Sequence, residues 1–171
     1  LGLLVVFMHV EVYGATLTSS QSRFSLALPG FVSVFPRDHG SHEQFQTEWW
    51  YFTGHLVGTD GRRFGYELTF FRRGIDSPHV WANPSLWAMR HVYLAHVALT
   101  DEQADQFQFS EKISRAGIGK AGARPDVLDV WIDRWSVKAL DLDHRQFRLQ
   151  AQAEEFSLDL VVESQKPPVI H

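Results

Sequence analysis

The stretch TEWWYFTGHLVGTDGRRFGYELTFFRRG, residues 47–74, decides the fold. Two runs, 48–57 and 62–72, are rich in aromatic and β-branched residues, which favour strands. They flank Gly58-Thr59-Asp60-Gly61, and Asp-Gly between such runs signals a hairpin. A two-residue loop at Asp60-Gly61 predicts Glu48 opposite Arg73 and Trp50 opposite Phe71. A four-residue loop slides the pairing by two and leaves the faces unchanged, because strand side chains alternate with period two. On this reading Glu48, Trp50, Glu67, Phe71 and Arg73 share one face. Trp49, Tyr51, Tyr66, Phe70 and Arg72 share the other, a continuous aromatic surface that a core or a ligand must cover. An inward Glu48 or Glu67 needs a partner, since unpaired buried charge is costly, and Arg73 is the predicted partner of Glu48.

Further strand-like runs lie at 90–100, 106–113, 128–138, 144–151 and 154–162. Turn signals separate them at Asp76-Ser77-Pro78, Ala82-Asn83-Pro84 and Ala123-Arg124-Pro125-Asp126. Seven such segments predict an all-β, antiparallel barrel or sandwich, with helix limited to a short piece around 84–90. SRAGIGKAGA, 114–123, lacks the GKS/T of a phosphate loop and reads as a flexible loop.

The apolar run LGLLVVFMHV, 1–10, is too short for a membrane-spanning helix, and small residues follow it. This predicts a signal-peptide fragment over 1–14, cleaved after Gly14, and a secreted or periplasmic protein. The competing reading is a buried N-terminal strand. A lead-in over 15–30 and a β domain over 31–165 follow. The Pro167-Pro168 pair within 166–171 marks the start of a linker.

Among 171 residues, 16 Lys+Arg stand against 20 Asp+Glu, a net charge of -4, which argues against a nucleic-acid partner. The absence of cysteine excludes disulfides, thiolate zinc sites and cysteine nucleophiles. Asp38, His39, His42, Glu43, Glu48 and His55 crowd into 35–56, yet their spacing matches no zinc pattern, so neither a metal nor a cofactor is expected. No Gly-x-Ser-x-Gly elbow is present. His91 and His96, five apart in one strand, face opposite sides. With 13 Phe, 6 Trp and 4 Tyr, the residues suited to an apolar ligand are Trp49, Trp50, Tyr51 and Phe71. Glu48, Glu67, Arg73 and His96 are the accompanying polar candidates.

FPRDHGSHEQFQTEWWYFTGHL (35–56) followed by FGYELTFFRRG (64–74) resembles the AttH-like, lipocalin-like family. That family includes carotenoid 1,2-hydratase (hydroxyneurosporene synthase), and its members are also described as predicted secreted hydrolases. The resemblance continues through HVYLAHVALTD (91–101), SRAGIGKAGA, VWIDRWSV (130–137) and KPPVIH (166–171). It implies two lipocalin-like domains in tandem, with this chain resembling the first and lacking its C-terminal partner. It also implies an isoprenoid or lipid ligand, and hydro-lyase or hydrolase chemistry in the full-length protein. The Asp-His-x-Trp motif associated with that chemistry is missing: Asp38-His39 precedes Gly40-Ser41, and Asp143-His144 precedes Arg145-Gln146. No catalytic residue is therefore carried over. A carboxylate at Glu48 or Glu67 beside Trp50 has the chemistry to stabilise a cation formed on alkene protonation. The alternative is a binding or scaffold module that performs no chemistry.

Overall fold

The computed structural model describes residues 22–143 and 145–169. The predicted signal segment 1–14 lies outside the described residues. Among the described residues, nine strands form two antiparallel sheets, each a simple meander. The first sheet comprises β1 (Thr47–Val57), β2 (Arg63–Gly74), β3 (His91–Asp101) and β4 (Gln106–Arg115). The second comprises β5 (Ala121–Ala123), β6 (Asp129–Ile132), β7 (Trp135–Ala139), β8 (Gln146–Gln152) and β9 (Ser157–Glu163). Among the described residues no strand ladder joins the two sheets, so of the two predicted forms the sandwich is the one adopted. β1, β4, β5 and β9 are its edges.

Alternation along β3 builds one wall of the core. His91, Tyr93, Ala95, Val97 and Asp101 are buried, and the residues between them are at least partly open. Trp50, Leu68 and Phe70 join that wall from β1 and β2; Val130, Ile132, Trp135, Val137 and Leu149 form the facing one. Trp135 is fully buried and satisfies its indole N–H at the Gln152 carbonyl, 2.9 Å away. The space between the sheets is thus packed with side chains.

The first hairpin departs from the two- or four-residue loop. The Gly58 N–H donates to the Arg62 carbonyl (2.8 Å) and the Gly61 N–H to the Gly58 carbonyl (2.9 Å). Gly61 sits at φ +82°, in the left-handed region that glycine enters freely. This is a three-residue loop, a turn followed by a left-handed residue. An odd loop pairs Glu48 with Arg72 and Trp50 with Phe70, one residue off the prediction. That single step exchanges the faces of β2. Trp50, Leu68, Phe70 and Arg72 point inward together, while Trp49, Tyr51, Glu67, Phe71 and Arg73 share the outer face.

Three smaller differences accompany it. The 128–138 run folds back at Asp133-Arg134 into β6 and β7, with Asp133 at φ +53°. The 114–123 loop contributes β5 at its end. The helix occupies Pro78–Ala82 instead of 84–90: Pro78 suits the first turn of a helix, and Pro84 cannot continue one.

A strap over 35–46 closes the mouth of the sandwich beside β1. It holds a 3-10 turn, Arg37–His39, whose last carbonyl accepts the Trp50 indole N–H at 3.1 Å. The Ser41 N–H donates to the Arg124 carbonyl at 2.8 Å. Gly40 lies so close to that loop that a Cβ would fall 2.6 Å from the Pro125 carbonyl oxygen. Only glycine fits there.

Candidate functional site

Arg72 is fully buried, so its guanidinium must recover inside the protein the hydrogen bonds it loses in water. Nε and Nη2 donate to Glu48 Oε2 at 3.2 Å each. Nη2 also donates to the His42 and Phe45 carbonyls at 2.9 Å. Nη1 lies 3.2 Å from His91 Nδ1, which accepts because a guanidinium only donates. Glu48 in turn receives the His42 backbone N–H at 3.0 Å, and His42 Nδ1 stands 2.7 Å from its Oε1. β1, β2 and β3 each supply one member of this cluster, and the strap supplies the rest. Arg73, the predicted partner of Glu48, instead points outward and donates to the Thr47 hydroxyl at 2.8 Å. The odd hairpin loop is the reason for the exchange.

The cluster extends to Asp38, whose Oδ1 lies 3.5 Å from His42 Nε2. A two-pronged hydrogen bond from Arg37 (2.6 and 3.0 Å) holds the Asp38 carboxyl far below the usual carboxylate range, and the Val34 N–H adds to this. His91 is held below its ordinary value by burial first and by the Arg72 charge second. Burial likewise pushes the Tyr93 phenol up to about 12. With its carboxylate oxygens and guanidinium donors committed to one another, the group is built to hold the strap on the sheet. Among the described residues, no set of three or more His, Asp or Glu is placed to hold a metal ion.

Six of the eight predicted ligand residues gather on the outer face of the first sheet: Trp49, Tyr51, Glu67, Phe71, Arg73 and His96. Trp49, Phe71, Leu94 and Ile113 form one row across all four strands. Trp49 is 62% exposed and Tyr51 54%. Glu67 accepts the Thr69 hydroxyl at 3.0 Å. His96 packs edge-on against Phe71 and faces Glu111 at 3.6 Å. Glu48 and Trp50 point the other way.

Two clefts flank His39 on the strap. The larger, about 650 Å³, is lined by Phe35, Pro36, His39, Phe147, Pro167 and Pro168, with Arg145, Lys166 and Asp143 also at its wall. The smaller, about 240 Å³, is lined by Asp38, His39, Glu48, Trp49, Trp50 and Tyr51, among others. Four predicted residues therefore meet at the smaller cleft, without Phe71. Sequence reasoning missed Phe35, Phe147 and Arg145, because no local pattern shows that the strap and the chain end meet β8. It also missed the role of Arg72, which the parity of the hairpin loop would have revealed; of the two histidines on opposite faces of β3, His91 is the one in the core.

Among curated proteins, none matches the chain. The crystal structure of a candidate AttH from Nitrosomonas europaea is similar, with a TM-score of 0.71 and 34% identity. The match covers 84% of this chain and 42% of that one, so the chain spans about two-fifths of its relative's length. The model of the AttH-like family matches residues 27–171. The motifs around the hairpin and the strap fall within that span: this chain belongs to the AttH-like family.

Proposed function

We propose that the domain binds an amphipathic lipid or isoprenoid carrying an acidic end, held in the cleft between the strap and β8. The observation that carries this is the cleft itself. Its volume of about 650 Å³ is in the range of small-molecule sites, its walls include Phe35, Phe147 and a proline pair, and Arg145 and Lys166 stand beside them. Aromatic and proline walls take an apolar tail, and the two cations meet a carboxylate or phosphate. Asp38 and Glu48 are locked in ion pairs, which favours binding over chemistry within this chain. Hydratase- or hydrolase-type chemistry in a longer protein would then draw its acid and base from elsewhere. The N-terminal apolar run supports export, and sequencing the mature N-terminus checks it; retention of residues 1–14 on an exported product would refute it.

Titration with oleate, followed by calorimetry, tests the binding. Saturable binding is expected, and Phe35→Ala should weaken it about tenfold, the order of one buried aromatic contact. Arg145→Gln with Lys166→Gln should weaken oleate while sparing oleyl alcohol. No saturable binding of either compound would overturn the reading.

A scaffold reading rests on a different observation, the outer apolar row Trp49, Phe71, Leu94 and Ile113, exposed at both ends and half-buried at its two central residues. In it, a second β domain of a longer protein covers that row. Limited proteolysis of the longer protein would then yield two halves that stay associated, and Trp49→Ser would release them.

A further inference from the structure

Two loops at one end of the first sheet, 83–90 (NPSLWAMR) and 115–120 (RAGIGK), belong to neither cleft. They touch. The Leu86 carbonyl stands 3.1 Å from where a Cβ on Gly117 would be, and the Arg115 guanidinium lies 5.2 Å from the centre of the Trp87 ring. Four apolar side chains project from them into solvent: Leu86 (79% exposed), Trp87 (57%), Met89 (44%) and Ile118 (59%). Single exposed apolar residues are ordinary, but four on two touching loops form a patch. Ile118 also sits at φ +48°, which a β-branched residue adopts at a cost that its exposed side chain does not repay by packing.

The charge pattern indicates what would cover this tip. The chain has more acids than bases, yet the two loops carry Arg90, Arg115 and Lys120 and no Asp or Glu. Among the described residues, Arg115 and Lys120 form no ion pair. The acids near the loops are engaged elsewhere: Asp133 faces Lys112 at 3.8 Å, and Asp76 accepts the Arg23 N–H at 3.3 Å. Arg90 donates to the Asn83 carbonyl at 2.6 Å and, like Arg115 and Lys120, faces no carboxylate among the described residues. An apolar tip with a Trp at its centre, ringed by cations without acidic partners, matches a surface that is oily at one depth and anionic just above it.

We infer that the 83–90 and 115–120 loops form a docking tip for anionic bilayers. Leu86, Trp87, Met89 and Ile118 enter the interface, and Arg90, Arg115 and Lys120 meet the lipid phosphates. The tip shares no residue with the proposed ligand cleft, and the inference does not depend on that cleft.

Flotation with vesicles of phosphatidylcholine alone, or of phosphatidylcholine with phosphatidylglycerol, tests it. The protein should float with the mixed vesicles, less with the neutral ones, and less again as salt rises. Leu86→Ser with Trp87→Ser should abolish flotation, with near-ultraviolet dichroism confirming the fold. Arg115→Gln and Lys120→Gln should each weaken it about fivefold, the share of one cation near such a surface. Phe35→Ala should float like the parent. Absence of flotation with either vesicle, or flotation unchanged by the loop substitutions, would overturn the inference. So would loss in Phe35→Ala alone, which would move the contact to the cleft. Dimerisation that the same loop substitutions remove, without vesicle binding, would assign the tip to a protein contact and overturn it too.

Discussion

Taking the Arg72 side chain out of water strips a guanidinium of its hydration, and its bonds to Glu48, His42, Phe45 and His91 replace that shell. Removing one partner of such a pair strands the other, so Arg72→Met should cost about 3–5 kcal/mol in urea denaturation. Arg73→Met, one position along and exposed, should stay within about 0.5 kcal/mol of the parent. A reader of the sequence sees two adjacent arginines and one carboxylate. Nothing local distinguishes them, and the choice depends on the parity of a loop whose closing residues, Gly58 and Arg62, lie ten positions from Glu48 and from Arg72, a relation that composition cannot carry. His91 supplies the second residue-scale prediction. Burial and Arg72 hold its folded value below the ordinary one. The unfolded chain therefore takes up a proton near about pH 6.5, before the folded protein does, and stability falls as pH drops below that point and is flat above it. His91→Gln keeps an acceptor for Arg72 and should flatten this dependence, read as denaturation midpoints across that pH range.

At the scale of elements, the first hairpin concentrates the specification of the fold. Deleting Thr59 would leave the two-residue loop that Asp60-Gly61 suggests, and would turn one strand over relative to the other. Trp49 would then compete with Trp50 for the core, and Arg73 with Arg72 for Glu48. The expected outcome is loss of cooperative thermal unfolding, whereas Gly61→Ala, which strains only one residue at φ +82°, should cost about 1 kcal/mol. The strands themselves were legible because aromatic and β-branched runs end at recognisable turns. β5 was not, since Ala121-Gly122-Ala123 has no strand propensity of its own. It pairs with β6 because Gly122 leaves room for the Trp131 ring, whose atoms would lie 2.7 Å from a Cβ at that position. The candidate site was half legible. Glu48, Trp49, Trp50 and Tyr51 adjoin one cleft because they are neighbours on one strand, but the larger cleft joins segments more than a hundred residues apart.

Across the whole molecule, the carboxylates carry much of the response to acid. Asp38 is held low by Arg37, Asp101 first by the Ala104 N–H and then by Arg62, and Asp159 by Arg148. Each favours the folded state above the ordinary carboxylate value of about 3.9 and loses that contribution as pH falls through its own lower value. Stability should thus decline below about pH 4, and Asp38→Asn should lower the neutral-pH plateau while making the acid limb shallower, as followed by tryptophan emission. The open architecture matters at this scale in another way. β4 is an edge strand, and Phe107 and Phe109 stack on it at 6.0 Å, 65% and 67% exposed. Its hydrogen-bonding groups and its greasy face are presented side by side, as a template for another strand of the same sequence. In concentrated solution this makes the segment Gln106-Phe107-Gln108-Phe109 the place where fibrils would nucleate. A lysine at position 109 would then lengthen the shelf life of the purified protein without touching its core.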